Sequence, residues 1–214
     1  MINIPPVLIL LRIFLKKRSA LRLHLADLQE KINLTQNQIT QEERIGVSLK
    51  VKTRRYDSLK RIIEEINKSL DLDIVTQQLV DITFAEIGRN EGACILYLVD
   101  PLTQSLALFR ARKKDKDLVI KAKDGDIFDK WVLRHTSPLL VEDIRRDFRF
   151  DIQKLYPYDR QFSSLISSAF VSQNRLLGIL RLDNPQPDFY TQDDLRFLAT
   201  VCEIGAVALE NSQL

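Results

Sequence analysis

Two opposite charges, Arg181 and Asp183, interrupt an otherwise apolar segment and are the side chains best suited to chemistry. The segment Leu176–Asp183 alternates as a β-strand does, which places Ile179, Arg181 and Asp183 on one face and the leucines on the other. Charged groups are costly to bury unless they are paired. The two charges therefore indicate either polar anchors for a ligand or an ion pair that closes a groove, and the sequence leaves both interpretations open.

Nucleophilic and metal chemistry are poorly supported by the other reactive residues. Cys94 and Cys202 lack C-x-x-C spacing, and His24 and His135 have no second histidine or cysteine nearby in sequence. Neither a disulfide framework nor a structural zinc site is indicated, and a reducing compartment fits two scattered thiols. No glycine-rich phosphate loop, G-x-S-x-G elbow or H-E-x-x-H helix occurs in the sequence. We therefore expect that the chain is not an enzyme.

The composition is that of a folded protein with two electrically different segments. Hydrophobic residues make up 45% and charged residues 29% of the 214 residues, which argues against disorder and against a polytopic membrane protein. The net charge of +3 hides an asymmetry, because residues 1–61 hold 13 Lys and Arg against 5 Asp and Glu. The remainder is net acidic, so the two segments are expected to have different neighbours.

Residues 1–18 form an apolar segment with a basic flank. The run Val7–Leu15 is broken only by Arg12 and is followed by the basic triplet Lys16–Arg18. Nine helical residues reach roughly 14 Å, under half of the ~30 Å hydrocarbon layer of a bilayer. The run is the end of a spanning helix that starts further upstream, an interfacial anchor, or the apolar start of a coiled coil. The triplet favours the cytoplasmic side of a membrane.

Residues 19–69 predict a helical coiled-coil stalk. Apolar residues recur at steps of four and three, the spacing of a heptad seam, at Leu21, Leu25, Leu28, Ile32, Ile39, Leu49 and Tyr56. Polar or small residues on the same grid weaken its middle, at Thr35, Glu42, Gly46 and Thr53. The seam resumes at Leu59 only after two consecutive steps of three, which is a stammer. The slip marks either a hinge within the stalk or the end of one helix and the start of another.

Residues 70–214 predict one domain with a mixed order of helices and strands. Asp71 or Asp73 is expected to cap the first helix, and Thr191 the last. The expected elements are a helix to about Ile87, a hairpin of Ala93–Val99 and Ser105–Arg112, a helix Asp126–His135, a strand Pro138–Glu142, a loop Asp143–Tyr158, a hairpin of Ser164–Ser172 and Leu176–Asp183, and a terminal helix. This order is typical of an α+β domain.

The terminal helix also carries a stripe at coiled-coil spacing, which consists of Leu195, Leu198, Cys202, Gly205 and Leu209. The stripe predicts pairing of this helix with its counterpart in a homodimer.

Several of these segments resemble the GAF domain family. The residues that carry the resemblance are Leu72–Asp73, Tyr97–Pro101, Ser164–Ser168, Asn174–Asn184 and Phe189–Leu198. The resemblance implies an α+β, GAF-like antiparallel sheet flanked by helices over residues 70–214, preceded by a long N-terminal helix or coiled coil. Asn174–Arg175, Phe189 and Asp193–Asp194 also match the frame of a cyclic-nucleotide signature, with Arg for Lys and Asp for Glu. We interpret this frame as a turn, a strand end and a helix cap held by a structural ion pair.

The resemblance further implies a ligand pocket on the charged face of the last strand, under a lid made by the short helix and the loop that follows it. At those positions this sequence gives the candidate ligand-binding residues Phe128, Trp131, Asp143, Arg149, Phe150, Ser168, Arg181 and Asp183. The two lid aromatics also suit a core, and the loop charges also suit a solvated, self-paired loop. The cofactor is unknown, and because neither cysteine lies in the lid, covalent attachment of a bilin is poorly supported.

A GAF resemblance implies a cytoplasmic sensory or regulatory input module, at the inner face of a membrane if the N-terminus anchors it. In this hypothesis an unknown small molecule shifts the helices of a homodimer, and the stalk relays the shift to an output domain such as a cyclase, phosphatase or kinase. A ligand-free dimerisation scaffold is the alternative, and it predicts a self-filled pocket that tolerates Arg181→Ala. A small redox enzyme is the third hypothesis and requires a reactive thiol. The stalk lacks interleaved aromatics, so no specific nucleic-acid partner is expected.

Overall fold

A computed structural model describes residues 6–66, 69–115, 119–155 and 161–213, the side chains of residues 6–10, 154 and 213 excepted. The chain divides into two compact units, Met1–Arg54 and Arg55–Leu214. The helices are α1 (Pro6–Ile66), α2 (Leu72–Glu86), α3 (Ile127–His135) and α4 (Gln192–Gln213). The strands are β1 (Ala93–Val99), β2 (Leu106–Lys113), β3 (Leu139–Val141), β4 (Ser164–Ser172) and β5 (Arg175–Asn184), and a short 3-10 turn covers Ile152–Lys154.

The predicted stalk and most of the apolar segment before it form one continuous helix, α1, which begins at Pro6 and ends at Ile66. The helix passes through Tyr56 and Leu59, so the interpretation of the stammer as a boundary between two helices is wrong. Neither Gly nor Pro lies near the slip, and a shift in the apolar seam alone does not interrupt backbone hydrogen bonding. Residues 1–5, which begin the expected apolar segment, and residues 67–68, near the end of the expected stalk, lie outside the described residues.

The first unit consists of the exposed part of α1. The side chains on the predicted heptad grid lie in solvent, with Ile32 55% and Leu49 57% exposed. No helix in the described ranges combines the length and apolar character needed to cross a bilayer.

The second unit is built on a five-stranded antiparallel sheet in the order β2-β1-β5-β4-β3. Both predicted hairpins are confirmed, as β1–β2 and β4–β5. The turn between β4 and β5 uses positive φ at Gln173 and Asn174, a backbone region that Asn tolerates better than most residues. Asp71 caps α2 by accepting hydrogen bonds from the backbone N–H groups of Asp73 and Ile74. Of the two aspartates predicted as the cap of this helix, Asp71 is therefore the one that is confirmed.

The two faces of the sheet cover two different cores. Leu180 and Leu182 of β5 pack with α2, α4 and the end of α1, while Ile179 packs on the opposite face with α3. Arg181 and Asp183 are both buried, and strand alternation places them on the same face as Ile179. The predicted alternation along this strand is therefore confirmed, and its charged face looks toward α3.

The last turns of α1 belong to the second unit. Ile62 and Ile66 are each 1% exposed and pack into the core that contains α2 and α4. Ser58 donates a 2.7 Å hydrogen bond to Glu86 at the end of α2, and Arg61 pairs with the same carboxylate. The compact unit therefore begins at Arg55, earlier than the expected domain start at residue 70.

The stripe on α4 packs inside its own domain. Leu198, Cys202 and Leu209 are buried in the α2–α4 core, and Gly205 lies against Phe170 and Leu79. A dimer seam on these residues would require the core to open, so packing within the domain accounts for the stripe. Its spacing is that of any helix which buries one face. The cap of α4 is as predicted, because the Thr191 hydroxyl accepts a hydrogen bond from the Asp194 backbone N–H.

Candidate ligand site

The N-terminus of α3 is built from two aspartates three residues apart. Asp126 accepts hydrogen bonds from the backbone N–H groups of Phe128 and Asp129, at 2.9 and 3.3 Å. In return the Asp129 carboxylate accepts a 3.0 Å bond from the backbone N–H of Asp126, which completes a capping box. Both side chains are buried, so their remaining oxygen contacts must come from the protein interior.

Arg181 supplies that contact from the middle of β5. Its Nη1 donates hydrogen bonds to Asp126 at 2.7 Å and to Asp129 at 2.9 Å, and its Nε lies 3.4 Å from Asp183. The Arg181 side chain is completely buried. We refer to Arg181, Asp126, Asp129 and Asp183 as the buried ion cluster. The cluster ties the cap of α3 to the central strand of the sheet.

Aromatic rings enclose the buried ion cluster. The Arg181 guanidinium carbon lies 4.6 Å from the ring centre of Phe162 and 5.6 Å from that of Phe128. Burial disfavours the charged guanidinium, but Asp126, Asp129 and Asp183 outweigh that effect and raise the pKa of Arg181 well above its usual value. The charge is therefore permanent. These contacts favour the ion-pair interpretation of Arg181 and Asp183 over that of ligand anchors.

Strand register separates Ser168 from the other candidates. Arg181 pairs with Ser167, whereas Ser168 pairs with Leu180, and directly opposed residues share a face of the sheet. The Ser168 carbonyl accepts a hydrogen bond from the Cys202 thiol on the α4 side. The Ser168 side chain therefore lies on the opposite face of the sheet from Arg181, apart from the other candidate ligand residues. A shift of one residue along a strand reverses the face on which a side chain lies.

A groove of about 300 Å³ lies on the other side of α3. We call it the outer groove. Four of its residues come from α3, namely Ile127, Lys130, Trp131 and Arg134. Three come from the loop after β3, namely Arg149, Phe150 and Asp151. Residues at these spacings share one stripe of a helix. The stripe is distinct from the one that buries Phe128 and Val132 against the sheet.

A second depression of about 530 Å³ lies along the same loop. Four carboxylates and two guanidinium groups line it together with Leu140, Phe148 and Gln192; the charged residues are Glu142, Asp143, Asp147, Asp188, Arg146 and Arg149. Arg149 is held here by hydrogen bonds to Asp147 and to the Leu140 carbonyl. The hydrogen bond from Arg149 lowers the pKa of Asp147. Arg146 likewise lies 3.6 Å from Asp143, so these four loop charges form pairs within the loop, as the solvated-loop interpretation expected.

The candidate residues therefore lie in four places. Phe128, Arg181 and Asp183 are buried, Trp131, Arg149 and Phe150 line the outer groove, Asp143 and again Arg149 line the loop depression, and Ser168 faces α4. The sequence interpretation missed Asp126, Asp129 and Phe162 in the buried ion cluster and its cover, and Lys130 and Arg134 in the outer groove. The Asp126–Asp129 spacing was the one local signal for the cluster, since it predicts a reciprocal cap.

The cyclic-nucleotide frame is divided among separate ion pairs. Asp194 pairs with Arg55 at 2.7 Å and with Arg89 at 3.2 Å, while Arg175 lies 4.0 Å from Glu210. The expected ion pair between the basic residue of the frame and its own acidic residues is wrong, because Arg175 and Asp194 pair with residues outside the frame. Arg175 and Asp194 belong to different ends of the domain core.

Both thiols are buried in the α2–α4 core. Burial raises the pKa of Cys94 and that of Cys202 well above the ordinary value of 9.0. Because the thiolate is the nucleophile, neither residue has the environment of a reactive cysteine.

Comparisons with known proteins agree with this architecture. Residues 69–210 match the GAF domain family. A search of curated proteins gave no match. Among solved structures, the GAF domain of an Acinetobacter phosphoenolpyruvate-protein phosphotransferase is 20% identical with a TM-score of 0.61, over 75% of this chain and 95% of that one.

Two further structures show the range of this fold. The free methionine-R-sulfoxide reductase of Neisseria meningitidis, solved with its substrate, is 16% identical with a TM-score of 0.61, over 74% of this chain and 90% of that one. A far-red absorbing dark-state protein with bound biliverdin IXα is 15% identical with a TM-score of 0.56, over 73% of this chain and 99% of that one. At these identities the likeness shows the fold alone. With its antiparallel sheet, its helices on both faces and the match over residues 69–210, the chain belongs to the GAF domain family.

Proposed function

We propose that this chain is a regulatory input module in which the GAF domain controls the state of α1. The observation that carries the proposal is the burial of Ile62 and Ile66 of α1 in the core shared by α2 and α4. Packed cores rearrange between discrete packings and do not deform continuously. A change in the packing of this core therefore acts directly on the last turns of α1, and the same helix continues N-terminally as the stalk.

The stalk is proposed to pair with a second copy of the chain. A single helix is marginally stable in water without packing, and the apolar grid that includes Leu25, Leu28 and Ile32 is exposed along the first unit. An identical helix offers the same heptad grid, which is the requirement of a homodimeric coiled coil. In such a dimer the signal would pass to an output domain, for which a cyclase, phosphatase or kinase is the proposed class.

The site of action is proposed to be the cytoplasm, at the inner face of a membrane. Leu11, Phe14 and Leu15 are exposed apolar residues, and the triplet Lys16–Arg18 follows them directly. Exposed apolar side chains with adjacent positive charge suit the anionic cytoplasmic leaflet.

The input is proposed to be a small molecule that binds two packings of the domain with different affinity, because a ligand with equal affinity for both shifts nothing. A thermal-shift screen of the full chain against cyclic nucleotides, nucleobases, tetrapyrroles and small organic acids tests for such a ligand. The relay is tested by disulfide cross-linking of Ile32→Cys, since both native thiols are buried. The exposed Leu34→Cys, which lies off the grid, is the control.

A stabilising compound that changes the cross-linking yield at Ile32→Cys, but not at Leu34→Cys, would support the input module. If stabilising compounds leave the yield unchanged, the relay fails. If no compound in the screen stabilises the chain, small-molecule input fails and the scaffold function stands in its place.

A ligand-free GAF scaffold is the second candidate, and a specific observation favours it. On the face of the sheet that looks toward α3, the Arg181 side chain is completely buried, pairs with the carboxylates of the buried ion cluster and packs against Phe128 and Phe162. A scaffold with this interior would dimerise through α1 whether or not a small molecule is present. The redox-enzyme hypothesis has no comparable support, because both thiols are buried.

A further inference from the structure

We propose that the outer groove binds a planar aromatic molecule that carries a carboxylate or a phosphate group. The inference rests on the proposed function, because such a ligand would be the input signal. It assigns that signal to the surface of α3 that faces away from the sheet, and not to the closed interior.

The outer groove is formed by one stripe of α3 and the loop opposite it. Ile127, Trp131 and Arg134 lie one helical turn apart, and Arg149 and Phe150 face them from the loop. The opposite stripe of α3, with Phe128 and Val132, packs into the core. The volume of about 300 Å³ is at the lower end of the range for ligand sites, which fits a small molecule.

Positive charge dominates the lining of the outer groove. Lys130, Arg134 and Arg149 contribute three cations, and Asp151 contributes one carboxylate. Arg149 is paired with Asp147, and Lys130 lies 3.4 Å from the exposed Asp124. Arg134 makes no ion pair with any residue in the described ranges. Its guanidinium is therefore available for bidentate contact with a carboxylate or phosphate.

Aromatic side chains form the wall of the same groove. The rings of Trp131 and Phe150 lie 6.3 Å apart at an angle of 68°, and Ile127 adds apolar surface beside them. Trp131 also stacks on His135 at 4.3 Å, which restrains its ring. Restrained aromatic surfaces beside cations suit a flat ring with an anionic substituent.

The outer groove has a direct contact path to the interior. Phe150 packs on Phe128 with ring centroids 4.5 Å apart, and the Phe128 ring lies over the Arg181 guanidinium. A ligand that displaces Phe150 would thus change the cover of the buried ion cluster and, through Asp126, the cap of α3.

Intrinsic fluorescence tests the proposal directly, because Trp131 is the single tryptophan of the chain. The full chain is titrated with benzoate and, as its uncharged counterpart, benzamide. A second pair, adenosine monophosphate and adenosine, distinguishes phosphate from carboxylate, and inorganic phosphate tests for an anion without a ring. We expect a saturable change with one of the two aromatic anions, and a response at least about tenfold weaker with its uncharged counterpart and with phosphate.

Two variants locate the binding site. Arg134→Glu should weaken the binding of that anion by at least about tenfold. Arg145→Glu carries the same charge change on an exposed residue of the loop that lines neither groove, and it should bind as the unaltered chain does. Thermal unfolding of each variant checks that the domain is folded; if Arg134→Glu unfolds, Arg134→Gln replaces it, with weaker binding again expected.

The proposal is overturned if neither aromatic anion gives a saturable change, if the uncharged counterparts bind equally well, or if the Arg134 variants bind as well as Arg145→Glu. Cross-linking at Ile32→Cys separates these outcomes from failure of the proposed function. Binding in the outer groove without a change in cross-linking keeps this site and removes the relay. A change in cross-linking with another compound, in the absence of any aromatic anion binding, removes this site and keeps the relay.

Discussion

Arg181 in the middle of β5 donates a 2.7 Å hydrogen bond to Asp126, the residue that caps α3. One contact thus joins the central strand to the start of the helix that covers it. Because Arg181 is completely buried, neither partner can exchange this contact for one with water. The position and capping of α3 therefore depend on the charge of Arg181 on β5.

Arg181→Ala is expected to destabilise the domain by about 3–5 kcal/mol, because it leaves the carboxylates of Asp126 and Asp129 buried without their counter-charge. Urea denaturation measures the loss. Arg175→Ala on the same strand is the control, with an expected change below about 0.5 kcal/mol, since Arg175 is 62% exposed and lies 4.0 Å from its partner Glu210. The tolerance of Arg181→Ala expected for a scaffold is therefore revised. A loss below about 1 kcal/mol would contradict the role of Arg181 as the counter-ion.

Ile32→Lys is expected to dissociate the proposed dimer, because it places a charge on the apolar heptad grid. Sedimentation equilibrium of the full chain measures the association. Leu34→Lys is matched to it, since Leu34 is 58% and Ile32 55% exposed but only Ile32 lies on the grid. Equal dissociation of the two variants would argue against this seam.

Gly205→Leu is expected to destabilise the domain by about 1–3 kcal/mol through overpacking. A Cβ atom on Gly205 would already lie 2.8 Å from the Phe170 ring and 3.0 Å from Leu79. Gly46→Ala, in the open part of α1 with nothing within 4 Å, should instead stabilise its helix by about 0.5–1 kcal/mol. Thermal unfolding monitored by circular dichroism compares the two, and tolerance of Gly205→Leu would mean that α4 is free to move away from the sheet.

The contribution of the Asp147–Arg149 pair should depend on pH. The pKa of Asp147 is lowered from 3.8 by its hydrogen bond from Arg149, so the pair stabilises the folded state above pH 3.8 and loses this contribution as the pH falls through the lower folded-state value. The effect is small, below about 1 kcal/mol, because Arg149 is half exposed. Urea denaturation of the unaltered chain and Asp147→Asn should differ at neutral pH and converge in acid. A difference that grows in acid would reverse the sign of this linkage.

The two thiols should be protected in the folded protein. Burial raises the pKa of Cys94 and of Cys202, so both are protonated at neutral pH. Reaction with a disulfide reagent should therefore proceed at the rate of unfolding and become fast in urea. Rapid reaction of either thiol in the native protein would reopen the redox hypothesis.

The sequence predicted the features that depend on near neighbours. Asp71 caps α2 through backbone groups two and three residues away, and Thr191 caps α4 in the same way. The alternation of β5 is also local, because successive side chains must point to opposite faces. These are the parts of the fold for which spacing along the chain and spacing in space are the same.

Spacing along the chain does not predict contacts between segments that are distant in sequence. Arg181 meets Asp126 and Asp129 at separations of 55 and 52 residues, so nothing in the spacing identifies them as partners. The choice between Ser167 and Ser168 depends on the register of β4 against β5, which a period of two does not determine. The α4 stripe had the correct period, but period alone does not say whether a helix buries its apolar face in its own domain or in a neighbour.

The GAF match begins at residue 69, whereas Ile62 and Ile66 already lie in the domain core. A fragment cut at the family boundary would lose both side chains and leave the apolar surface between α2 and α4 open to water. Such a fragment is expected to aggregate or to bind adventitious hydrophobic partners. A chimaera that exchanges the GAF domain between proteins would therefore need its junction N-terminal to Arg55, so the segment to exchange is longer than the segment that matches the family.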